Sequence, residues 1–202
     1  MKLTKQGIEF IVTEETGGRK YYENVYKKAF IWPGGASGAT AMVGIDIGYY
    51  SAQEVNAIFK SLTTPEELEL IQEGRGKKGL IAKAYVKKYL SKITFSWEEA
   101  IQTFETFILP KFLKYTLSTF PGVDKLCSDT QTALVSLVFN RGTSMKGATR
   151  KEMRELRKYV PHADYESIAA QIKSMKRLWD KDSGLVGRRD REAKLVENCL
   201  KH

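Results

Sequence analysis

Apolar residues recur along most of this chain with the period of an α-helix, and polar capping signals mark where several helices begin. Ile8, Ile11 and Val12 form one apolar stripe within residues 4–15. A Ser or Thr followed three residues later by Glu is a capping box, in which each side chain accepts a backbone N–H of the first turn. Three such boxes open helices, at Ser51-Ala52-Gln53-Glu54, Thr64-Pro65-Glu66-Glu67 and Ser96-Trp97-Glu98-Glu99. The pattern predicts a chain that is mostly helical.

Two segments depart from this amphipathic pattern. Residues 129–140 carry an almost uninterrupted apolar run, which is typical of a helix buried at the centre of a domain. Residues 20–50 are rich in aromatic and β-branched residues and then in turn glycines, which predicts a small β-rich lobe of two or three short strands. The predicted fold class is therefore α+β and predominantly α. We expect one domain over 1–202, with the β-rich lobe at about 16–60 and a helical lobe at about 61–202 that includes the N-terminal helix.

Residues 77–91 predict a basic amphipathic helix. Membrane binding and a solvated lysine face are both compatible with its composition, and we expect the solvated face. The predicted inward stripe is Leu80, Ile81, Ala84, Tyr85 and Tyr89, and five lysines face outward.

The chain is basic, with 33 Lys and Arg residues against 24 Asp and Glu, a formal net charge of +9. Such a surface attracts polyanions, and charge alone does not choose among nucleic acid, anionic membranes and the acidic bacterial wall. No apolar run reaches the roughly 18 residues needed to span a bilayer. The N-terminus carries no signal-peptide core or cleavage site. We therefore expect synthesis in the cytoplasm, with any export by another route, and no stable membrane insertion; we also expect a monomer.

Cysteine and histidine are too sparse to indicate a metal site. Cys127, Cys199, His162 and His202 have no metal-ligand spacing. We predict that both cysteines are buried free thiols, since free cysteine behaves as a small hydrophobic residue. No metal and no cofactor is expected.

Two acids stand at an electrostatically unfavourable place. Glu14 and Glu15 occupy the last turn of the first predicted helix, just before Gly17-Gly18, and the helix dipole disfavours anions there. Two solvated surface acids are one interpretation. A functional site is the other, because sequences break local rules mainly where function requires it.

Carboxylates are the candidate catalysts that remain once other motifs are excluded. The sequence has no nucleophile elbow, no phosphate-binding P-loop, no HExxH zinc motif and too few histidines for a Ser-His-Asp triad. Glycoside hydrolysis needs only carboxylates: an acid kept protonated by partial burial, and a water held on the opposite face of the sugar. Glu15 fits the acid, and Thr40 and Asp46 are candidates for holding the water. Asp46 is equally interpretable as a turn-stabilising residue that accepts backbone N–H groups.

The order of these parts resembles the phage-type lysozymes, the endolysin muramidases, over nearly the whole chain. In that family a helix ends in Glu, a Tyr follows seven residues later, and a β-hairpin carries Thr-Ile-Gly-x-Gly. Glu15 and Tyr22 fit the first two features, and Thr40-Ala41-Met42-Val43-Gly44 fits the hairpin, with Met42 in place of a glycine. Later segments resemble the family's Phe-Asn-x-Gly and Gly-Leu-x-x-Arg-Arg-x-x-Glu motifs: Phe139-Asn140-Arg141-Gly142 and Gly184-Leu185-Val186-Gly187-Arg188-Arg189-Asp190-Arg191-Glu192. Residues 32–49 indicate a divergent branch with a longer hairpin.

The resemblance implies a lysozyme-like fold, with Glu15 as general acid and Thr40 positioning the water. The family has Asp or Cys nine residues after the Glu, but here that position is Asn24, which cannot act as a base. We therefore consider Asp46 as the second carboxylate. The predicted substrate-binding residues are Tyr22, Asn24, Asn140 and Arg141, of which the last two are equally interpretable as a helix cap and a surface arginine.

The expected function is that of a muramidase, which hydrolyses the β-1,4 bond between N-acetylmuramic acid and N-acetylglucosamine in peptidoglycan. The resemblance leaves inversion and retention of the anomeric configuration both open. Because Asn24 replaces the usual acid, the alternative is a non-catalytic binder of glycan or another polyanion with the same fold. Nucleic-acid binding rests on charge alone, and no recognition motif supports a specific nucleic-acid partner.

Overall fold

The computed structural model describes residues 1–26 and 28–201, and the chain divides into two compact units. One unit contains residues 15–108, and the other contains residues 1–14 together with residues 109–201. From the sequence we predicted a boundary between the two lobes at about residue 60. The difference arises because residues 94–97 pack with the segment that follows the first helix, so that the intervening helices belong to the same unit.

Helices dominate the described part of the chain, and the only paired strands there form one short antiparallel hairpin, as the predicted α+β, mainly α class requires. The strands are β1 (Thr40–Ala41) and β2 (Ile45–Asp46). The α-helices are α1 (Lys5–Thr16), α2 (Arg19–Asn24), α3 (Ala52–Phe59), α4 (Pro65–Gly74), α5 (Gly79–Tyr85), α6 (Trp97–Thr103), α7 (Leu109–Thr119), α8 (Ser128–Arg141), α9 (Lys151–Tyr159), α10 (Tyr165–Ser174) and α11 (Gly184–Asn198). Single π-helical turns lie at Val86–Leu90 and Phe104–Ile108, and 3-10 turns at Val123–Lys125, Ala148–Arg150, Val160–His162, Met175–Leu178 and Cys199–Lys201.

All three predicted capping boxes form. Ser51, Thr64 and Ser96 each accept a backbone N–H from the Glu three residues later, and each of those Glu side chains accepts the backbone N–H of its cap. Because a capping box uses only contacts within one turn, its residues suffice to fix where α3, α4 and α6 begin.

The predicted two or three short strands of residues 20–50 correspond to β1 and β2, but the aromatic first half of this segment does not form a strand. Tyr21 and Tyr22, which belong to the segment predicted to be β-rich, lie in helix α2, and later in this segment single bridges pair Ala29 with Thr94 and Ile31 with Thr40. The aromatic residues serve packing rather than strand formation: Phe30 packs with Phe59 and Phe95 at ring-centroid distances of 5.6 and 5.8 Å. Burial of these rings overrides the strand preference of the sequence.

The predicted inward face of the basic helix is wrong. Ala82, Val86 and Leu90 are the buried residues of α5 and the π turn that follows it, whereas Leu80 and Ile81 are 73% and 68% exposed. The segment carries two apolar stripes, and hydropathy cannot tell which of them the rest of the unit will cover.

Helix α8 is buried along most of its length, as predicted, and packs against a cluster of buried charges on α11. Glu192 accepts hydrogen bonds from Ser136 Oγ at 2.6 Å, Arg188 Nε at 3.1 Å and Arg189 Nη2 at 3.0 Å. Arg188, Arg189 and Glu192 are each at most 3% exposed. A further bond of 3.3 Å joins Arg189 to the side-chain oxygen of Asn140. These contacts connect the Phe-Asn-x-Gly motif at the end of α8 with the Arg-Arg-x-x-Glu motif of α11, which lie far apart in the sequence.

The structure pairs Cys127 with Cys199, so the prediction of two free thiols is wrong. Their Cα atoms lie 6.4 Å apart, a separation that a disulfide spans without backbone movement. Cys127 also precedes α8 and accepts the backbone N–H of Thr130 at its sulfur, at 3.4 Å. The two cysteines are 72 positions apart and meet only through tertiary packing, which spacing alone does not reveal.

Reduction of the Cys127–Cys199 bond should lower the free energy of unfolding by about 2–4 kcal/mol, because the bond restricts the unfolded chain. Thermal denaturation with and without a thiol reductant measures the change. The double variant Cys127→Ser, Cys199→Ser is the matched control, and its melting temperature should not respond to reductant. Alkylation of two thiols in the denatured, unreduced protein would contradict the pairing.

Candidate active site

The carboxyl end of α1 presents Glu15 at a sharp turn of the chain. The helix ends at Thr16, and Gly17 and Gly18 follow with φ angles of 77° and 89°, the left-handed conformation that glycine adopts most easily. Thr16 is buried, and its hydroxyl accepts the backbone N–H of Gly18 at 3.3 Å. One carboxylate oxygen of Glu15, Oε1, is shielded from solvent. The turn therefore fixes a half-buried acid at the helix end.

A cavity of about 150 Å³ lies beside Glu15 within this unit. It is smaller than the roughly 300–1,000 Å³ of pockets that enclose a whole drug-sized ligand, but large enough for ordered water or a small group next to the carboxylate. Its lining contains one carboxyl group, two hydroxyl-bearing threonines and two tyrosines. The lining residues are Glu15, Thr16, Tyr22, Tyr26, Ala29, Ile31, Pro33, Thr40, Ala41, Met42 and Gly44.

The hairpin brings Thr40 to the same cavity as Glu15. Thr40 begins β1, where its Cα pairs with that of Asp46 on β2. On its other side, the backbone N–H and C=O of Thr40 exchange 2.8 Å hydrogen bonds with Ile31. With partners on both sides, the backbone of Thr40 is held firmly while its half-buried side chain lines the cavity.

The turn of the hairpin places Met42 in an unusual backbone conformation. Met42 has a φ of 50° and Gly44 a φ of 74°. A left-handed φ costs an unbranched residue roughly 1–2 kcal/mol, whereas glycine adopts it freely. Met42 is 7% exposed and lines the cavity, so its burial offsets this cost. Position 42 thus has the backbone shape that a glycine would favour.

Asp46 is occupied in holding the loop that precedes the hairpin. Its carboxylate accepts the backbone N–H of Gly38 at 3.0 Å and that of Gly48 at 2.9 Å. A Cβ added to Gly38 would lie 2.3 Å from Asp46 Oδ1 and 2.6 Å from the backbone of Gly48, so no larger residue fits there. Asp46 does not line the cavity of Glu15. Its contacts are those of the turn-stabilising interpretation.

Tyr22 and Asn24 take different positions. Tyr22 lines the cavity, but it is 1% exposed and its hydroxyl donates to the carbonyl of Phe95 at 2.9 Å. Burial raises the pKa of Tyr22 well above its ordinary value of 10, which keeps this donor protonated. Asn24 ends α2, is exposed, and does not line the cavity. Tyr22 therefore acts as a wall of the cavity, and Asn24 lies outside it.

Glu14 and Glu15 are neighbours with separate partners. Glu14 belongs to the other unit, where Arg191 Nε and Nη2 donate to its two oxygens at 2.5 and 2.9 Å. Only 5% of the Glu14 side chain is exposed. This bidentate pair gives Glu14 a structural role and leaves Glu15 as the candidate acid.

Asn140 and Arg141 also belong to the unit that contains Glu14. Asn140 accepts from Arg189, as described above. The guanidinium of Arg141 donates to the carbonyl of Thr149 at 2.5 Å and lies 5.2 Å from the ring centre of Trp179. Burial lowers the pKa of Arg141, and the neighbouring Arg150 adds to the effect. Both predicted substrate contacts are thus engaged in packing around the end of α8.

Thr16, Tyr26, Ile31 and Pro33 are lining residues that the sequence did not indicate. Thr16 directly follows Glu15, so its place between Glu15 and Gly17-Gly18 was the one sequence signal that could have indicated it as a lining residue. The other three come from an irregular segment whose path depends on the bridge between Ile31 and Thr40.

Two further properties of the described residues concern ligands. They contain no group of three or more His, Cys, Asp or Glu side chains arranged to hold a metal ion, and His202 lies outside them. None of their helices is long and apolar enough to cross a lipid bilayer. Searches of this sequence against protein-family models and against curated proteins found no match.

Replacing Asp46 by Ala should lower the free energy of unfolding by about 1–3 kcal/mol, because the N–H groups of Gly38 and Gly48 lose their acceptor. Chemical denaturation measures the loss. Asp46→Asn is the matched control: its side-chain oxygen can still accept both N–H groups, so most of the stability should return. Equal stability of Asp46→Ala and the parent protein would show that the carboxylate does not hold the loop.

Proposed function

We propose that this protein is a peptidoglycan glycosidase of the muramidase type, with Glu15 as its general acid. The observation that carries the proposal is the shared cavity of Glu15 and Thr40. An acid from a helix end and a hydroxyl from a hairpin meet there, although 25 positions separate them in the sequence. Glycoside hydrolysis needs an acid and a positioned water, and this pair can supply both.

In the proposed reaction, protonated Glu15 donates its proton to the glycosidic oxygen as the bond to the anomeric carbon breaks. Thr40 holds a water molecule whose oxygen then bonds to that carbon, and the water releases its second proton to solvent or to the Glu15 carboxylate. Glu15 is the only carboxyl group among the described lining residues. The proposal therefore assigns no second carboxylate to the cavity and gives Asp46 the task of positioning the loop.

A lysozyme-like fold is part of the proposal, and two features support it. Met42 takes a left-handed backbone at the position where the resembled hairpin motif has glycine. The Phe-Asn-x-Gly and Arg-Arg-x-x-Glu segments also meet, because Arg189 donates to the side-chain oxygen of Asn140. Residues that touch in this way have a common structural reason to occur together.

The variant Glu15→Gln should reduce the release of reducing sugar from purified peptidoglycan by about 10²–10⁴-fold, the usual contribution of a general acid. Glu14→Gln is the matched control, because it removes the same charge from the residue next to Glu15. It weakens the bidentate pair with Arg191 and therefore lowers the free energy of unfolding, but it changes no residue of the Glu15 cavity and should keep the parent turnover. Circular dichroism melts of both variants check that they fold.

The results separate the proposal from its alternative. Turnover by Glu15→Gln close to that of the parent protein would remove Glu15 from the mechanism. The second candidate is a non-catalytic glycan binder, because the cavity has a single carboxyl group. A parent protein that sediments with peptidoglycan but releases no reducing sugar would favour it. Asp46→Asn should retain turnover, and its complete loss would restore Asp46 as a catalytic carboxylate.

A further inference from the structure

An exposed apolar patch lies on α5 and the π-helical turn that follows it. Leu80 and Ile81 are 73% and 68% exposed, and Tyr89 is 39% exposed. With Ala84 and Tyr85 they line one shallow groove, to which Lys88 also contributes. Single exposed apolar residues are common on protein surfaces, but two adjacent large aliphatic residues beside two tyrosines form a continuous patch of the kind that binds a partner.

Lysines surround this patch. The ammonium group of Lys77 lies 4.7 Å from the ring centre of Tyr85, and that of Lys88 lies 4.8 Å from the ring centre of Tyr89. Lys83 and Lys87 are exposed. Lys83 follows Leu80 by three positions and Lys87 follows Ala84 by three, so helical spacing puts both lysines at the edge of the patch. Glu73 contacts the patch in two ways: its carboxylate accepts from the hydroxyl of Tyr85 at 3.1 Å, and its backbone carbonyl accepts from Lys77. The surroundings of the patch are therefore strongly basic.

The combination of apolar centre and basic edge selects among partners. A second copy of this face would bring two sets of lysines together, which like-charge repulsion disfavours. A polyanionic polymer such as nucleic acid would satisfy the lysines but leave Leu80 and Ile81 in water. An anionic bilayer surface satisfies both, because aliphatic and tyrosine side chains enter the interface while lysines remain among the phosphates.

We propose that this patch docks the protein on the surface of an anionic lipid bilayer. Leu80, Ile81 and Tyr89 enter the boundary between headgroups and acyl chains, and Lys83, Lys87 and Lys88 contact lipid phosphates. Residues 79–90 form too short a helix to cross a hydrocarbon core of about 30 Å, so the binding is peripheral. The inference does not depend on the proposed muramidase activity, because no residue of the Glu15 cavity belongs to the patch.

Sedimentation with lipid vesicles tests the proposal. The parent protein should bind vesicles of phosphatidylcholine mixed with phosphatidylglycerol at least about tenfold more tightly than vesicles of phosphatidylcholine alone, since each interfacial lysine adds roughly fivefold. The double variant Leu80→Ser, Ile81→Ser should weaken binding to the anionic vesicles by about tenfold or more. The matched control Leu117→Ser, Leu200→Ser alters two exposed leucines outside the patch and should bind like the parent.

Charge is tested separately from the apolar contact. Lys87→Gln with Lys88→Gln should weaken binding to anionic vesicles by about tenfold or more, whereas Lys111→Gln with Lys114→Gln removes the same charge elsewhere and should have a much smaller effect. Equal effects of the two lysine pairs, or no effect of the Leu80 and Ile81 changes, would overturn the proposal in favour of attraction by net charge. Loss of binding to lipid-free peptidoglycan but not to vesicles in the patch variants would also overturn it. All variants change exposed side chains, and circular dichroism confirms that they fold.

Discussion

In the unit that contains α8 and α11, the packing of the two helices depends on how a buried carboxylate is compensated. Glu192 lies entirely out of contact with solvent between two guanidinium groups and a serine hydroxyl. Burial pushes the pKa of Glu192 upward and that of Arg189 downward, and the attraction between the opposite charges opposes both shifts. Removing one partner from such a cluster costs about 3–5 kcal/mol, because the remaining charge is buried without compensation. Ser136 and Asn140 of α8 bond to this cluster, and these contacts contribute to which faces of α8 and α11 meet.

Asp46, in the other unit, is also a carboxylate whose charge is compensated by hydrogen-bond donors. Its carboxylate accepts two backbone N–H groups, one from Gly38 in the loop just before β1 and one from Gly48 just after β2. The close approach of Gly38 and Gly48 leaves no room for a side chain, so glycine and aspartate act together as one structural element. This loop leads directly into β1 and thereby sets the position of Thr40. Of the three acids that attract attention in the sequence, Asp46 thus stabilises the unit that contains Glu15, and Glu14 is paired within the other unit.

The Glu15 cavity and the lysine-edged patch share no residue and differ in their chemistry. The cavity carries a half-buried acid and a hydroxyl, the two groups that the proposed glycoside hydrolysis uses. The patch carries exposed aliphatic and tyrosine side chains with lysines, which suit a lipid surface. A net charge of +9 favours approach to anionic surfaces in general, but only the arrangement of apolar residues on α5 distinguishes a bilayer from other polyanions.

The sequence by itself determined the features that depend on neighbouring residues. It predicted the capping boxes at Ser51, Thr64 and Ser96, the glycine turn after α1 and the buried character of α8, because each follows from interactions within a turn or two of helix. Only the tertiary structure decided which apolar stripe of α5 is covered, that residues 19–24 form a helix, and that Cys127 meets Cys199. It also decided that Glu15 and Thr40 line one cavity while Asp46 does not. These outcomes depend on contacts between distant segments, where the burial of side chains outweighs the local preferences that a sequence pattern records.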